Sequence, residues 1–161
     1  MKLIVISSSV AASNEHEIIN SCFDEGLEIL HIHKPLYSKK EIKKFVQQIP
    51  SEYHKRIVLH SDFPKFHSLE ELEACKEKYE YAFLSPIFDS ISKKDYKTQF
   101  SQTKSELISE LCGKPVIALG GIDEDKVQIC RELGFAGVAV CGAIWQSTHP
   151  IEKFIRIKEK C

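Results

Sequence analysis

The sequence lacks an excess of charge of either sign. Its 161 residues include 22 lysines and arginines and 23 aspartates and glutamates, which gives a formal net charge of -1. A balance this close to neutral gives no electrostatic reason to expect a nucleic acid or an anionic membrane as a partner. The chain also lacks an apolar run of bilayer-spanning length, and the short run at its start ends in Ser7, Ser8 and Ser9. We therefore expect no nucleic-acid or membrane partner, and we interpret the opening run as a first strand and not as a signal peptide.

Metal-binding cysteine spacings are also absent. The six cysteines include no CxxC or CxxH pair, so the sequence predicts neither a zinc site nor a disulfide framework. Reduced thiols are typical of cytoplasmic proteins, and we expect a cytoplasmic localisation. No low-complexity segment or linker interrupts the chain, which predicts a single domain over residues 1–161.

Apolar periodicity alternates between strand and helix along the whole chain. Short apolar runs, typical of buried strands, are separated by segments with helical spacing that begin at capping residues and end near glycine. The expected strands are Lys2–Ser8, Glu28–Lys34, Ile57–His60, Tyr81–Ile87, Val116–Leu119 and Gly137–Val140. Alternation of this kind favours a parallel sheet, and it gives six βα units.

Two small-residue turns follow the last two expected strands. Gly120 and Gly121 come directly after one strand, and Cys141 and Gly142 come directly after the next. In (β/α)8 barrels the loops after the last two strands often hold phosphate on backbone N–H groups. The pattern therefore indicates a phosphate site, and its alternative is a plain βαβ unit whose glycines serve only packing.

Three strings in the C-terminal half resemble the thiamine phosphate synthase family, which includes the related thiazole tautomerases. They are Tyr81–Lys93 (YAFLSPIFDSISK), Val116–Ile122 (VIALGGI) and Gly137–Ile144 (GVAVCGAI). In order and spacing they are similar to the family's strand-and-lysine loop, its glycine turn and its last strand. The resemblance implies an α/β, TIM-barrel-like (β/α) fold. With six βα units instead of eight, the missing units fall between Asp62 and His67.

An enzyme of thiamine biosynthesis is what the resemblance implies. Such a transferase joins a hydroxymethylpyrimidine pyrophosphate to a thiazole phosphate and releases pyrophosphate, so the expected partners are small phosphate-bearing substrates. Two alternatives remain: a metal-independent enzyme of the thiazole tautomerase type, and a non-catalytic relative that binds a thiazole phosphate. A sheet with missing units has unpaired edges, so we also expect a homodimer or a rearranged closure.

The resemblance places the site at the ends of the strands. The expected catalytic residues are Lys93, His33 and His60. The expected residues for binding substrate and phosphate are Gly120, Gly121, Cys141, Gly142, Lys34 and His31. Polar filling of a barrel interior is the alternative role for the three histidines.

Mg²⁺ is the cofactor that the resemblance implies. The family's third strand ends in asparagine, aspartate and arginine, where this chain has His60, Ser61 and Asp62. Ser61 stands at the metal-binding aspartate, and Asp62 is one place further on, which on a strand faces the opposite side. Asp62 is therefore a metal candidate in an incomplete set of ligands, and His33 stands where the family has an arginine. The sequence predicts weak Mg²⁺ binding and weak or absent synthase activity.

Overall fold

The structure is a computed structural model that describes residues 1–75, 78–88, 108 and 113–161. Its strands are β1 (Lys2–Ile6), β2 (Ile29–Ile32), β3 (Ile57–Leu59), β4 (Lys65–Phe66), β5 (Ala82–Leu84), β6 (Val116–Leu119) and β7 (Gly137–Val140). They form one parallel sheet in the order β3-β2-β1-β7-β6-β5-β4. This is the cyclic order of a (β/α)8 barrel with a break between β3 and β4. The expected TIM-barrel-like α/β fold is confirmed.

Strand β4 is the element that the sequence did not predict. It has two residues, with Lys65 paired to Phe83 and Phe66 paired to Leu84. A two-residue strand has only one side chain on each face, so its sequence shows no repeating alternation that would distinguish it from a loop. The described residues therefore form seven strands, one more than expected and one fewer than an eight-stranded barrel has.

The helices pack on the outside of the sheet. Those whose bounds fall within the described ranges are α1 (Glu15–Asp24), α2 (Lys39–Gln47), α3 (Leu69–Ala74), α4 (Val127–Glu132), α5 (Gly142–Trp145) and α6 (Pro150–Lys160). Short 3-10 helices cover Ser51–Arg56, His60–Asp62 and Glu124–Lys126. Ser38 caps α2 and Pro150 opens α6, as the sequence predicts, and Glu41 completes a capping box with Ser38 that was not predicted. Within the part of the chain that the structure describes, no helix combines the length and apolarity needed to cross a bilayer.

The strands separate two apolar layers. The larger layer lies between the sheet and the helices and includes Val5, Leu30 and Phe154. The smaller layer fills the inside of the curled sheet and consists of Ile4, Ile6, Tyr81, Phe83, Ile117 and Ala139. Neighbours such as Ile4 and Val5 belong to different layers, because successive strand residues face opposite sides.

Aromatic side chains pack at the break between β3 and β4. Phe63, in the connection between these strands, stacks on Tyr81 with ring centroids 4.4 Å apart and lies 4.8 Å from the His31 ring. His31 belongs to β2 and Tyr81 directly precedes β5, so Phe63 contacts both sides of the break. Since β3 and β4 are the two edges of the sheet, side-chain packing replaces strand pairing here.

Candidate functional site

A cavity of about 230 Å³ opens at the carboxyl ends of the strands. Each of the seven strands contributes to it. Residues of β1 to β4 and their following loops supply Ser9, His33, His60, Lys65 and His67, and those of β5 to β7 supply Ser85, Gly120, Gly121, Cys141 and Gly142. In (β/α) barrels this end of the sheet is where active sites lie, so the cavity is the candidate functional site.

Gly120 and Gly121 form the wall of the cavity after β6. Both have positive φ, 94° and 66°, a backbone conformation that glycine adopts without steric cost. A Cβ added at Gly120 would lie 2.9 Å from the Cα of Pro86, so close packing against the loop after β5 also requires glycine there. With no side chains, the two residues leave their backbone accessible to a ligand in the cavity.

Cys141 and Gly142 form the wall after β7, beside the first glycine turn. The Cys141 sulfur lies 3.9 Å from the Ser7 carbonyl oxygen, and Trp145 donates from Nε1 to the Ile6 carbonyl at 2.7 Å. These contacts hold α5 against the end of β1. The structure thus brings the four residues of the expected phosphate cradle together on adjacent walls of one cavity.

His33 and His60 also reach the cavity, whereas His31 lies beneath it. The rings of His33 and His60 have centroids 5.3 Å apart. His31 has no exposed surface, and its Nε2 lies 2.6 Å from the Tyr81 hydroxyl. Its Nδ1 lies 3.4 Å from Nδ1 of His60. His31 is therefore a polar residue of the barrel interior, and it connects that interior to the floor of the cavity.

Burial lowers the pKa of both inner histidines. The pKa of His31 falls to about 3, first through burial and then through the charge of His60. The pKa of His60 falls to about 4, through burial and then through His33 and Lys65. Burial also raises the pKa of the Tyr81 hydroxyl to about 12. At neutral pH the two imidazoles are therefore uncharged, and the hydroxyl retains its proton.

Lys34 lies away from the cavity. Its buried ammonium forms an ion pair with Glu15 at 2.5 Å and donates to the Val10 carbonyl at 3.2 Å. The Ser8 backbone N–H in turn donates to the other Glu15 carboxylate oxygen at 3.0 Å. In this arrangement Lys34 connects the end of β2 to helix α1 and to the loop after β1, and it does not line the cavity.

The described residues do not fit a Mg²⁺ site. Asp62 is exposed in the 3-10 helix after β3, and it is absent from the cavity lining. Mg²⁺ is held by carboxylate and water oxygens, and the lining that the structure describes contains no carboxylate. Outside the undescribed positions, no group of three histidines, cysteines, aspartates or glutamates is placed to hold a metal ion. Lys93, the expected catalytic lysine, lies outside the described residues.

Two cavity residues, Lys65 and His67, are not among the site residues that the sequence predicts. They flank Phe66, which packs on the outer core, so they face the other side of β4. His67 Nδ1 lies 2.9 Å from the Ser85 carbonyl oxygen. The sequence feature that could have identified them is the polar–apolar–polar alternation Lys-Phe-His after Pro64. It can be interpreted in this way only when β4 is known to be a strand. Among the described lining residues, Lys65 supplies the one formal positive charge.

Comparison with known sequences matches the C-terminal half. Residues 66–144 match the family model for thiamine monophosphate synthase. The thiamine-phosphate synthase of Limosilactobacillus reuteri is 32% identical over 79 residues, which are 49% of this chain and 37% of that protein. The thiamine-phosphate synthase of Actinobacillus succinogenes is 40% identical over 83 residues, which are 50% of this chain and 38% of that protein. The matched part thus spans less than half the length of these relatives.

Comparison with solved structures extends over the whole chain. The thiamine phosphate pyrophosphorylase from Bacteroides thetaiotaomicron superposes with a TM-score of 0.79 and 28% identity, covering 99% of this chain and 97% of that one. The thiamine phosphate pyrophosphorylase from Pyrococcus furiosus has a TM-score of 0.76 at 17% identity, which supports the fold alone. The resemblance of this chain to the thiamine phosphate synthase family is therefore confirmed, in sequence over residues 66–144 and in fold over the whole chain.

Proposed function

We propose that this chain is a thiamine phosphate synthase-like protein of thiamine biosynthesis that binds a thiazole phosphate in the cavity. The observation that carries the proposal is the pair of small-residue turns, Gly120–Gly121 and Cys141–Gly142, on adjacent walls of a cavity at the carboxyl ends of the strands. Backbone N–H groups that no side chain covers can donate hydrogen bonds to phosphate oxygens. The resemblance in sequence and fold supports thiazole phosphate as the ligand.

For the synthase reaction, the chain has to stabilise a departing pyrophosphate. Pyrophosphate leaves the pyrimidine, and the thiazole nitrogen attacks the carbocation that remains. Positive charge near the leaving group lowers the barrier to this step. Lys65 lines the cavity. On the basis of the family resemblance, we propose Lys93, which lies outside the described residues, as a second cation for the leaving group. Because His33 stands in place of an arginine and no carboxylate lines the described cavity, we propose that the synthase rate is low.

The neutral imidazoles favour a second candidate function, a metal-independent proton transfer of the thiazole tautomerase type. Such a reaction needs a phosphate cradle and a group that gives or takes a proton at the heterocycle. His33 and His60 line the same cavity as the two turns, and burial keeps the pKa of His60 near 4. An uncharged imidazole can accept a proton on its bare nitrogen while its N–H gives one up, so the ring stays neutral across the transfer.

Binding and turnover measured side by side test the proposal. Calorimetry with thiazole phosphate should show saturable binding. A coupling assay with hydroxymethylpyrimidine pyrophosphate, run with and without Mg²⁺, measures the synthase reaction, and isomerisation of the thiazole alone measures the second candidate. Binding without either turnover would identify a non-catalytic relative. No binding of thiazole phosphate would contradict the proposed function.

A further inference from the structure

Three polar groups form a chain from the barrel interior to the floor of the cavity. Tyr81 is 2% exposed, and His31 has no exposed surface. The Tyr81 hydroxyl lies 2.6 Å from His31 Nε2, and His31 Nδ1 lies 3.4 Å from Nδ1 of His60. Among the described residues, the His60 side chain makes no other hydrogen bond, and His60 lines the cavity. The nitrogen left to the cavity is therefore Nε2 of His60.

The number of protons allows two hydrogen-bonding arrangements of Tyr81, His31 and His60. Each imidazole is neutral at pH 7 and carries one proton, because burial holds the pKa of His31 near 3 and that of His60 near 4. In the first, the Tyr81 hydroxyl donates to His31 Nε2, His31 donates from Nδ1 to His60, and His60 carries its proton on Nε2. In the second arrangement, His60 donates from Nδ1 to His31 Nδ1, and His31 donates from Nε2 to the Tyr81 oxygen. Nε2 of His60 then carries no proton and can only accept.

The Tyr81 hydroxyl distinguishes the two arrangements. In the second, its oxygen accepts from His31, and its own hydrogen then needs a further acceptor. The part of the chain that the structure describes offers the Tyr81 hydroxyl no partner besides His31. A buried hydroxyl hydrogen without an acceptor is unfavourable, as in the second arrangement. In the first arrangement the hydroxyl hydrogen is bonded to His31, so no hydrogen is left unsatisfied. The first arrangement is therefore favoured.

We infer that Tyr81, acting through His31, holds His60 in the tautomer protonated at Nε2, so that the cavity floor presents a neutral N–H donor to the bound phosphorylated molecule. Tyr81 and His31 are positioning residues in this scheme, and His60 is the group that contacts the ligand. The donor role rests on the proposed function, since it requires an acceptor oxygen or nitrogen in the cavity. Within the described ranges, the other titratable neighbours of His60 are His33 and Lys65.

Imidazole nitrogen spectra of the unligated protein test the tautomer directly. In uniformly ¹⁵N-labelled protein at pH 7, we expect His60 to be protonated at Nε2 and His31 at Nδ1. Tyr81→Phe removes the hydroxyl and keeps the ring, so neither arrangement then leaves a hydroxyl hydrogen without an acceptor. The variant should show His60 as a mixture of tautomers. Tyr37→Phe removes a hydroxyl outside the barrel interior and should leave the His60 spectrum unchanged.

Inorganic phosphate, titrated by calorimetry, tests the donor role. His60→Leu should weaken phosphate binding by about 10-fold or more, which is the usual effect of losing a hydrogen bond to a charged group. His60→Gln can place an amide N–H near the position of Nε2 and should restore affinity to within about 3-fold of the unmodified protein.

Several outcomes would overturn this inference. Protonation of His60 at Nδ1, or an unchanged tautomer in Tyr81→Phe, would refute control by Tyr81. Equal phosphate affinity in His60→Leu would refute the donor role. If the unmodified protein bound neither phosphate nor thiazole phosphate, the proposed function and the donor role would both fail, while the spectra would still decide the tautomer.

Discussion

At the scale of single residues, Gly121 combines a positive φ with a place on the cavity wall. We predict that Gly121→Val removes binding of thiazole phosphate, because a branched side chain would occupy the space against the ligand. The same substitution strains the backbone by about 1–2 kcal/mol, since φ stays in the left-handed region. Gly134→Val is the matched control, because Gly134 has a φ of 79° at the end of α4, outside the cavity. Calorimetry should show loss of binding in the first variant and retention in the second.

The Lys34–Glu15 pair allows a second prediction at this scale. Breaking a buried ion pair from one side costs about 3–5 kcal/mol, because the remaining charge is left unpaired. Lys34→Met should therefore lower the free energy of unfolding in urea, while phosphate affinity measured on the folded variant stays within about 2-fold. Lys40→Met, on the exposed face of α2, is the control for loss of a lysine. A large loss of phosphate affinity with unchanged stability would instead support the role in binding that the sequence suggested.

The two inner histidines make stability depend on pH. Their folded pKa values, about 3 for His31 and about 4 for His60, lie below the usual 6.5, so the unfolded chain binds more protons in that interval. The free energy of unfolding should therefore fall as the pH drops from about 6.5 to about 4. Urea denaturation at several pH values measures this slope. His31→Asn should reduce the slope, whereas His149→Asn, at an exposed position, should not; a flat profile in the unmodified protein would contradict the pKa shifts.

At the scale of elements, the break between β3 and β4 depends on packing by Phe63. Its ring contacts Tyr81 and His31 on opposite sides of the break. We predict that Phe63→Ala lowers the free energy of unfolding by about 3 kcal/mol, near the lower end for such changes because Phe63 is only partly buried. Phe63→Leu keeps apolar volume and should lose less than half as much. Amide exchange should accelerate first in β3 and β4, and uniform acceleration across all strands would argue against a local role.

The elements also show what the sequence could and could not predict. The sequence predicted several local features: the Ser38 cap, the Pro150 helix start and the glycine turns after β6 and β7. Each of them depends only on the chemistry of a few adjacent residues. The strand β4 and its cavity residue Lys65 were not visible. Two residues form a strand there only because β5 pairs with them, and that is a tertiary contact.

The same distinction applies to the candidate site. The sequence indicated that Gly121 and Gly142 would meet, since carboxyl ends of neighbouring parallel strands lie at one edge of a sheet. Strand alternation puts the adjacent residues His33 and Lys34 on opposite faces, but the sequence could not show what each side chain contacts. Only the fold shows that His33 faces the cavity while Lys34 pairs with Glu15 behind it.

At the scale of the whole molecule, β3 and β4 predict self-association, because each has an edge that no other described strand pairs with. Exposed strand edges present unpaired N–H and C=O groups that a second copy can satisfy. We propose a homodimer, and light scattering across a dilution series should report twice the mass of one chain at micromolar concentration. A monomer at every concentration would contradict the dimer and would leave the packing around Phe63 as the whole closure of the break.

The position of β1 in the sheet has a further consequence, for the kinetics of folding. Its neighbours are β2, which follows it directly, and β7, where Lys2 pairs with Gly137 and Val5 with Val140. The β1–β7 pairing joins segments from far-separated parts of the chain, so the fold has a high contact order. Loop-closure entropy opposes such pairing until most of the chain is collapsed. We therefore expect refolding to be slower than in helical proteins of similar length, with the joining of the β1–β3 and β4–β7 half-sheets as its limiting event.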